Sequence, residues 1–428
     1  LVKRQYLFAT RWFILAIIGI LLFFEGATVY YGNGVLPFLS FFQDSSFYAF
    51  LSSYHIPIGI ILQLSGLLLF GVNLYFFVQW LVNRAMGEKL RHMRELLLQN
   101  YPLDKGPKVV AIGGGTGLST LLRSIKTLTS NITAVVAVTD DGGSSGVLRR
   151  EMGILPPGDI RDCLVALARE EMGISDMLSY RFTQGGAWEG HNLGNILMAG
   201  LTQKAEGDFG RAVEDLSRVL AVEGRVLPVT LDDVSLCAYM EDGAIVRGET
   251  NMVSDRRTIN RVFLEPADCR PLHGVLSAIE DAEYIILGPG SLYTSIITNL
   301  LVPGVADAIR RSGAQVYYVC NAATQPGEME METASGYVSA IERHAGKGLI
   351  QKVLVNDVLP DEAGKDFLAA HGSAPVACDK ENLLALGVEI IRGDYAAKED
   401  PRLHDEVVLA QVFAEEFWAA QPSDFWLD

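Results

Sequence analysis

A β-branched run that stops in glycines constrains this 428-residue chain more than any other feature. Lys108-Val-Val-Ala-Ile112 is followed at once by Gly113-Gly114-Gly115-Thr116-Gly117, and Leu118 to Ile125 then carries apolar residues at helical spacing. Strand, glycine loop and helix in that order aim backbone N–H groups and the positive end of a helix dipole at one point, where an anion is held. Glycine lets the backbone approach a phosphate because no Cβ stands in the way. Residue type excludes two familiar variants. No Gly-Lys-Ser/Thr follows, so this is not a Walker A loop, and Leu118 stands where a dinucleotide fingerprint expects a small residue.

The plan repeats downstream. Ile132 to Val138 reads as a second strand and runs into Thr139-Asp140-Asp141-Gly-Gly-Ser144-Ser145-Gly146. An acid at the end of the second strand is where such folds hold ribose hydroxyls. The Asp140–Asp141 pair would alternatively hold Mg²⁺, the one cofactor this sequence suggests. Asp159, in Leu155-Pro-Pro-Gly-Asp-Ile-Arg161, is placed to cap a helix running through Arg169. Arg161 sits in the first turn of that helix, against the dipole, so either a ligand or a neighbouring carboxylate must face it. Gly190-His191-Asn-Leu-Gly-Asn195 opens another helix; His191 and Asn195 read as site lining, with no nucleophile or relay evident beside the histidine.

Two more strands end in polar loops. Tyr284 to Leu287 leads into Gly288-Pro-Gly290-Ser291, and Gln315 to Val319 leads into Cys320-Asn321-Ala-Ala-Thr324-Gln325. Asn321, Thr324 and Gln325 offer the amide and hydroxyl groups that read a base or a sugar. Ligands of open parallel sheets sit beyond the strand C-termini, so four such loops point to one composite site.

Charge narrows the partners. Residues 106–428 carry 27 Lys/Arg against 46 Asp/Glu, a net −19 against −16 for the whole chain. A surface that acidic repels nucleic-acid backbones, and nucleic acid is not expected as a partner. The five cysteines are scattered without a C-x-x-C pair, which suits unpaired thiols in a reducing compartment better than zinc or disulfides.

The apolar surplus lies before residue 105. Trp12 to Tyr31, interrupted by Glu25, and Ile56 to Val82, free of charge, each reach the ~20 residues that span hydrocarbon. Lys3, Arg4 and Arg11 precede the first stretch; Arg84, Lys89, Arg91 and Arg94 follow the second; the connection between them has no Lys or Arg. The positive-inside rule then predicts a two-span protein of the cell membrane with both termini cytoplasmic, an aromatic loop at the outer interface, and the bilayer as a partner of 12–31 and 56–82. Glu25 is costly at that depth. Residues 83–107 read as a juxtamembrane helix and linker.

Taken together, the strings VVAIGGGTGLSTLLR, DDGGSSGVLRREMGILPPGDIRDCLVALA, GHNLGN, LGPGSLYTSIITNLLVPG and CNAATQPGE resemble the gluconeogenesis-factor (YvcK-like) family of the CofD superfamily. The resemblance implies a Rossmann-like α/β core over 108–357, a mostly parallel sheet with helices on both faces; the transmembrane hairpin over 1–82, read from the apolar stretches, departs from the usual family picture. Residues 358–428 would be an extension packed on that core. It also implies a nucleotide-sugar ligand such as UDP-N-acetylglucosamine, a role linking carbon metabolism to cell shape and peptidoglycan synthesis, and a site lined by Gly113–Gly117, Asp140, Asp141, Gly288–Ser291 and Asn321–Gln325. Cell-wall synthesis proteins and further copies of the chain are the protein partners it leaves open. With no nucleophile–base pair evident, the residues favour a binding regulator without turnover. The alternative is a Mg²⁺-dependent transferase of a nucleotide-diphosphate-linked group, as in CofD 2-phospho-L-lactate transferase. An NAD-dependent oxidoreductase fits only the first βαβ unit.

Overall fold

Parallel strands covered on both faces read as unbroken apolar runs, and the main sheet of this protein, seen in a computed structural model, follows that rule. The structure describes residues 102–169, 173–255, 257–325 and 333–419, and in the N-terminal segment residues 15, 17–24, 26–27, 29–30 and 56–74. The chain divides into two units, Leu1–Asn100 and Tyr101–Asp428.

In the larger unit the strands are β1 (Val109–Gly113), β2 (Ile132–Val136), β3 (Arg225–Pro228), β4 (Ser235–Met240), β5 (Ile245–Arg247), β6 (Ile259–Glu265), β7 (Tyr284–Leu287), β8 (Gln315–Val319), β9 (Lys352–Asn356) and β10 (Glu389–Gly393). Seven form one sheet in the order β10-β9-β8-β7-β1-β2-β3, parallel throughout. Every residue of β1, β2 and β7 is buried. The remaining three make a small antiparallel sheet, β5-β4-β6, an excursion between β3 and β7. The chain runs outward from β1 through β2 to β3, then returns to β7 on the other side of β1 and runs outward again. The sheet therefore reverses its direction of growth between β1 and β7, and a crevice opens at such a switch point.

The helices that bear on that crevice are α1 (Gly115–Ile125), α2 (Gly143–Met152), α3 (Gly158–Ala166), α4 (Leu193–Lys204), α5 (Glu249–Ser254) and α6 (Glu406–Ala419). Residues 358–419 do more than cover a finished core. They supply β10, paired with β9 from Glu389↔Lys352 to Gly393↔Asn356, and then α6, which packs against α1. Phe413 and Phe417 of α6 are fully buried, and the Tyr284 hydroxyl of β7 donates to the Phe417 carbonyl at 3.3 Å.

In the smaller unit the described residues contain one helix long and apolar enough to cross a membrane, Ile56–Leu74, rather than the expected two. Residues 15–30 are helical wherever they are described. The interfacial loop, Glu25 and the juxtamembrane helix fall outside the described residues. The two stretches meet along glycines: a Cβ on Gly19 would come within 2.6 Å of the Phe70 nitrogen, and one on Gly66 within 2.5 Å of the Phe23 nitrogen. Leu21, Phe24, Ile61, Leu64 and Leu68 turn away from that seam and are exposed.

Candidate functional site

Because β1 and β7 pair in register, from Val109↔Tyr284 to Ile112↔Leu287, their C-terminal glycines emerge side by side. The Gly288 N–H donates to the Ile112 carbonyl at 2.9 Å. A cavity of about 530 Å³ opens there, lined on one side by Gly114, Gly115, Thr116 and Gly117, and by Pro289, Gly290, Ser291 and Ser295. The helix expected from Leu118 starts earlier, so Gly115, Thr116 and Gly117 form the first turn of α1. N–H groups of a first turn have no partner within the helix; that of Gly115 goes to the Asp159 carboxylate, which leaves those of Thr116 and Gly117 to offer an anion. Gly117 is a glycine for reasons of approach: a Cβ there would lie 2.4 Å from the Pro289 carbonyl oxygen and 2.8 Å from the Gly290 nitrogen. The two loops touch backbone to backbone.

The opposite wall comes from the end of β8 and from the C-terminal segment. Asn321, Ala323, Thr324 and Gln325 line it, together with His371, Ser373, Asp400, Arg402, Leu403 and His404. Local bonds hold these residues in place. The Ser291 hydroxyl donates to Gln325 Oε1 at 2.6 Å, which ties the two walls together. Thr324 exchanges hydrogen bonds with Ala374, its N–H donating to the Ala374 carbonyl while its hydroxyl accepts from the Ala374 N–H. Arg402 grips Asp400 with two N–H groups, at 2.9 and 2.6 Å, and lies over the Phe367 ring. Among the described residues lining the cavity it is the one arginine, and no lysine lines it. With that cation already countered by Asp400, an anion in this cavity would rest largely on backbone N–H groups.

The remaining residues singled out by sequence do not line this cavity. Gly113 and Gly288 stand behind the loops, at the strand ends. Asp159 does not cap: α3 starts at Gly158 after Pro157 without a side-chain cap, and ends at Ala166 rather than running through Arg169. Its carboxylate instead lies behind the glycine loop, where it accepts from the Gly115 N–H. Burial, then Asp140, then Asp162 raise its pKa from the ordinary 3.8 to about 7, against the opposing pull of that N–H and of Arg161. A carboxyl with a raised folded-state pKa favours the folded protein below its unfolded value and loses that contribution as pH rises through about 7. Asp159→Asn is therefore expected to gain stability on the wild type between pH 5 and pH 8. Thermal unfolding of both proteins at the two pH values checks this, and a wild type that gains on the variant from pH 5 to pH 8 would contradict it.

Asp140 and Asp141 serve different elements. Asp140 Oδ1 accepts from the Gly142 N–H at 2.9 Å, and its charge reaches Asp159. Asp141 Oδ1 accepts from both the N–H and the hydroxyl of Thr250, at 2.8 and 2.6 Å, and so caps α5. The two carboxylates thus have separate hydrogen-bond partners, and no group of three His, Cys, Asp or Glu side chains suited to a metal occurs among the described residues. Arg161 faces protein, bound to Asp162 and to Asn195 Oδ1. Ser144 is the centre of a buried knot: its hydroxyl lies 3.0 Å from His191 Nδ1 and accepts from Asn195 Nδ2 at 3.2 Å. His191 thus has a hydroxyl neighbour that the sequence did not show, contributed by α2. Ser145 is buried in the same turn, against Gly158.

The lining residues beyond 357 escaped the sequence reading, although a signal for them existed. Glu389 to Gly393 is once more a short strand ending in glycine, followed by a polar loop and by a helix that Asp405 caps through the Val407 and Val408 N–H groups. Strand, loop, helix was the rule already applied upstream.

Known proteins share this arrangement. The family described as 2-phospho-L-lactate transferase CofD matches residues 109–396. A protein of Halalkalibacterium halodurans named gluconeogenesis factor is 46% identical over 312 residues, covering 73% of this chain and 97% of its own length. A putative gluconeogenesis factor of Nostoc sp. is 42% identical over 373 residues, covering 85% of this chain and 80% of its own. That coverage exceeds the Tyr101–Asp428 unit, so this similarity extends into the N-terminal segment. A crystal structure of a Bacillus halodurans protein superposes with a TM-score of 0.70 at 44% identity, covering 73% of this chain and all of that one.

Proposed function

This chain belongs to the CofD family, among relatives named gluconeogenesis factor, and from that membership we propose a regulatory protein that binds a nucleotide-sugar, UDP-N-acetylglucosamine foremost, and links carbon metabolism to cell shape and cell-wall synthesis. One observation carries the reading. A single cavity at the switch point has helix-start N–H groups on one wall and amide, hydroxyl and imidazole groups on the other. Phosphates suit the first wall and a base or sugar the second. The Ser144–His191 contact lies outside that lining.

Calorimetric titration of the full chain in detergent with UDP-N-acetylglucosamine, GDP and NAD, with and without Mg²⁺, tests the proposal. Saturable binding of the UDP-sugar, largely independent of Mg²⁺, is expected, and a preference for NAD would overturn it. Arg402→Ala should weaken binding about 10- to 100-fold, since a hydrogen bond to a charged group contributes ~1.5–3 kcal/mol. An unchanged affinity would mean that the ligand does not reach the wall that carries Arg402.

A transferase with the CofD activity is the second reading, favoured by the family match and by the proximity of Asp140 to Asp159. Those two carboxyls, rather than Asp140 with Asp141, would be the ones to hold Mg²⁺. GDP binding that requires Mg²⁺ and fails in Asp140→Asn would favour it.

The N-terminal segment fits a membrane hairpin with the larger unit in the cytoplasm. Apolar side chains face outward from the glycine seam, and the flanking charges obey the positive-inside rule. The chain should then stay with membranes through an alkaline carbonate wash; release into the supernatant would refute the anchor.

A further inference from the structure

We propose that the outward face of α4 is a dimerisation surface, on which the same helix of a second copy of this chain packs antiparallel about a two-fold axis.

Leu193-Gly-Asn-Ile-Leu-Met-Ala-Gly-Leu-Thr-Gln-Lys204 carries no charge before its last residue. A helix apolar on all sides is ordinarily buried on all sides. Here Gly194, Asn195, Met198, Ala199 and Thr202 are buried against the unit. Leu193, Ile196, Leu197 and Gly200, at the i, i+3, i+4 and i+7 spacing of a second face, keep contact with solvent. Leu197 is 38% exposed. The segment before the helix extends this face. The Leu193 N–H donates to the Tyr180 carbonyl at 2.8 Å, and the His191 N–H donates to the Trp188 carbonyl at 3.0 Å. Tyr180 and Trp188, held in this way at the start of α4, are each 54% exposed, and Met177 is 51% exposed.

Area, charge and backbone access single out a second copy as the occupant. The exposed parts of these side chains amount to on the order of 500 Å² of apolar surface. A standard interface buries about 800 Å² per partner, about 65% of it apolar in homodimers. The patch therefore supplies the apolar share of one such interface.

Within α4 and the segment before it, charges stand only at the ends of the face. Lys204 is exposed in the last turn, and Asp176 and Glu189 are exposed near the start. Arg181 beside them is drawn onto the Gly190 carbonyl, at 2.6 Å. Antiparallel pairing sets the lysine of each copy toward the carboxylates of the other, and a two-fold axis makes that contact twice. Over the rest of an acidic unit, two copies would bring like charge onto like.

Gly200 is exposed, and a Cβ there would meet no atom within 4 Å. Glycine weakens a helix, and the packing of this chain does not call for it at that position. A second α4 crossing there does, because two backbones approach most closely where no Cβ intervenes.

The test is disulfide crosslinking of the full chain in detergent, with Gly200→Cys at the crossing point and Ile245→Cys, exposed on the small antiparallel sheet, as control. Mild oxidation should turn most of Gly200→Cys into a covalent dimer and leave wild type and Ile245→Cys as monomers on a denaturing gel. In sedimentation, wild type should be a dimer, and Leu197→Arg should raise its dissociation constant at least about 10-fold, since each copy then brings an unpartnered charge to the interface. A monomeric wild type would overturn the inference, whether lipid or another protein then proves to cover the face. So would a dimer that survives Leu197→Arg and gives no crosslink at Gly200→Cys, because its contact lies elsewhere. Both substitutions are at exposed positions, so the outcome does not hang on the core accepting them.

Discussion

Gly117→Ala is expected to reduce nucleotide-sugar binding by at least ~100-fold, or about 2.7 kcal/mol. The added carbon would sit 2.4 Å from the Pro289 carbonyl oxygen and 2.8 Å from the Gly290 nitrogen. Neither is the end of a flexible side chain, so the loop after β7 must move away from the loop after β1. The phosphate cradle between them would open, and overpacking of this kind typically costs a further ~1–3 kcal/mol of stability. Gly113→Ala is the matched control. Its Cβ would meet only the Leu118 side chain, at 3.5 and 3.7 Å, and the Gly288 Cα at 3.8 Å. Titration should therefore show strong loss in the first variant and near-normal affinity in the second, with thermal unfolding reporting the cost to the fold. If Gly117→Ala binds normally, the ligand does not lie between these loops.

The second large effect concerns stability. Phe417→Ala should destabilise the protein by about 3–5 kcal/mol, the range for emptying a fully buried aromatic site. The Phe417 ring lies 4.5 Å from that of Tyr284 and 5.6 Å from that of Phe413. Its neighbour Glu416 accepts from the Tyr317 hydroxyl at 2.8 Å and from Lys352 Nζ at 2.7 Å. One turn of α6 thus clamps β7 and β9 at their first residues and β8 at its third. Against a typical total of ~5–15 kcal/mol, the loss should be plain as an earlier midpoint in urea unfolding. Binding should weaken as well, because Arg402 and His404 lie in the loop that α6 holds in place. A midpoint shift below about 1 kcal/mol would mean that the C-terminal helix is an accessory to the fold after all.

How legible the site was in the sequence depended on distance along the chain. Local rules located β7 and β8 over the observed residues, because a buried parallel strand needs only a short apolar run with glycine or polar residues after it. Boundaries slipped where helix and loop compete. The glycines at 115 and 117 read as loop but form the first turn of α1, since tertiary contact with Pro289 outweighs their weak helix propensity. Side-chain roles were less legible still. Asp140 and Asp141 are adjacent in sequence and look like a metal pair, yet successive side chains diverge, and one is drawn to Thr250 far along the chain. Asp159 looked like a cap because a carboxylate near a helix start usually is one. It serves another helix instead, reaching Gly115 from behind the glycine loop.

Composition, periodicity and loop chemistry by themselves determined the α/β class, the strand–glycine–helix units, the apolar N-terminal segment and the acidity of the remainder. Each of these is local: a pattern of burial with a period of two or four residues, or a turn that only glycine fits. Tertiary structure alone decided which loops share a cavity, that residues from His371 to His404 complete its wall, and that Ser144, Arg161, His191 and Asn195 knot together beside it. Those outcomes depend on strand order. The reversal between β1 and β7 is set by how seven buried strands and their crossovers pack, and no single stretch of sequence records it.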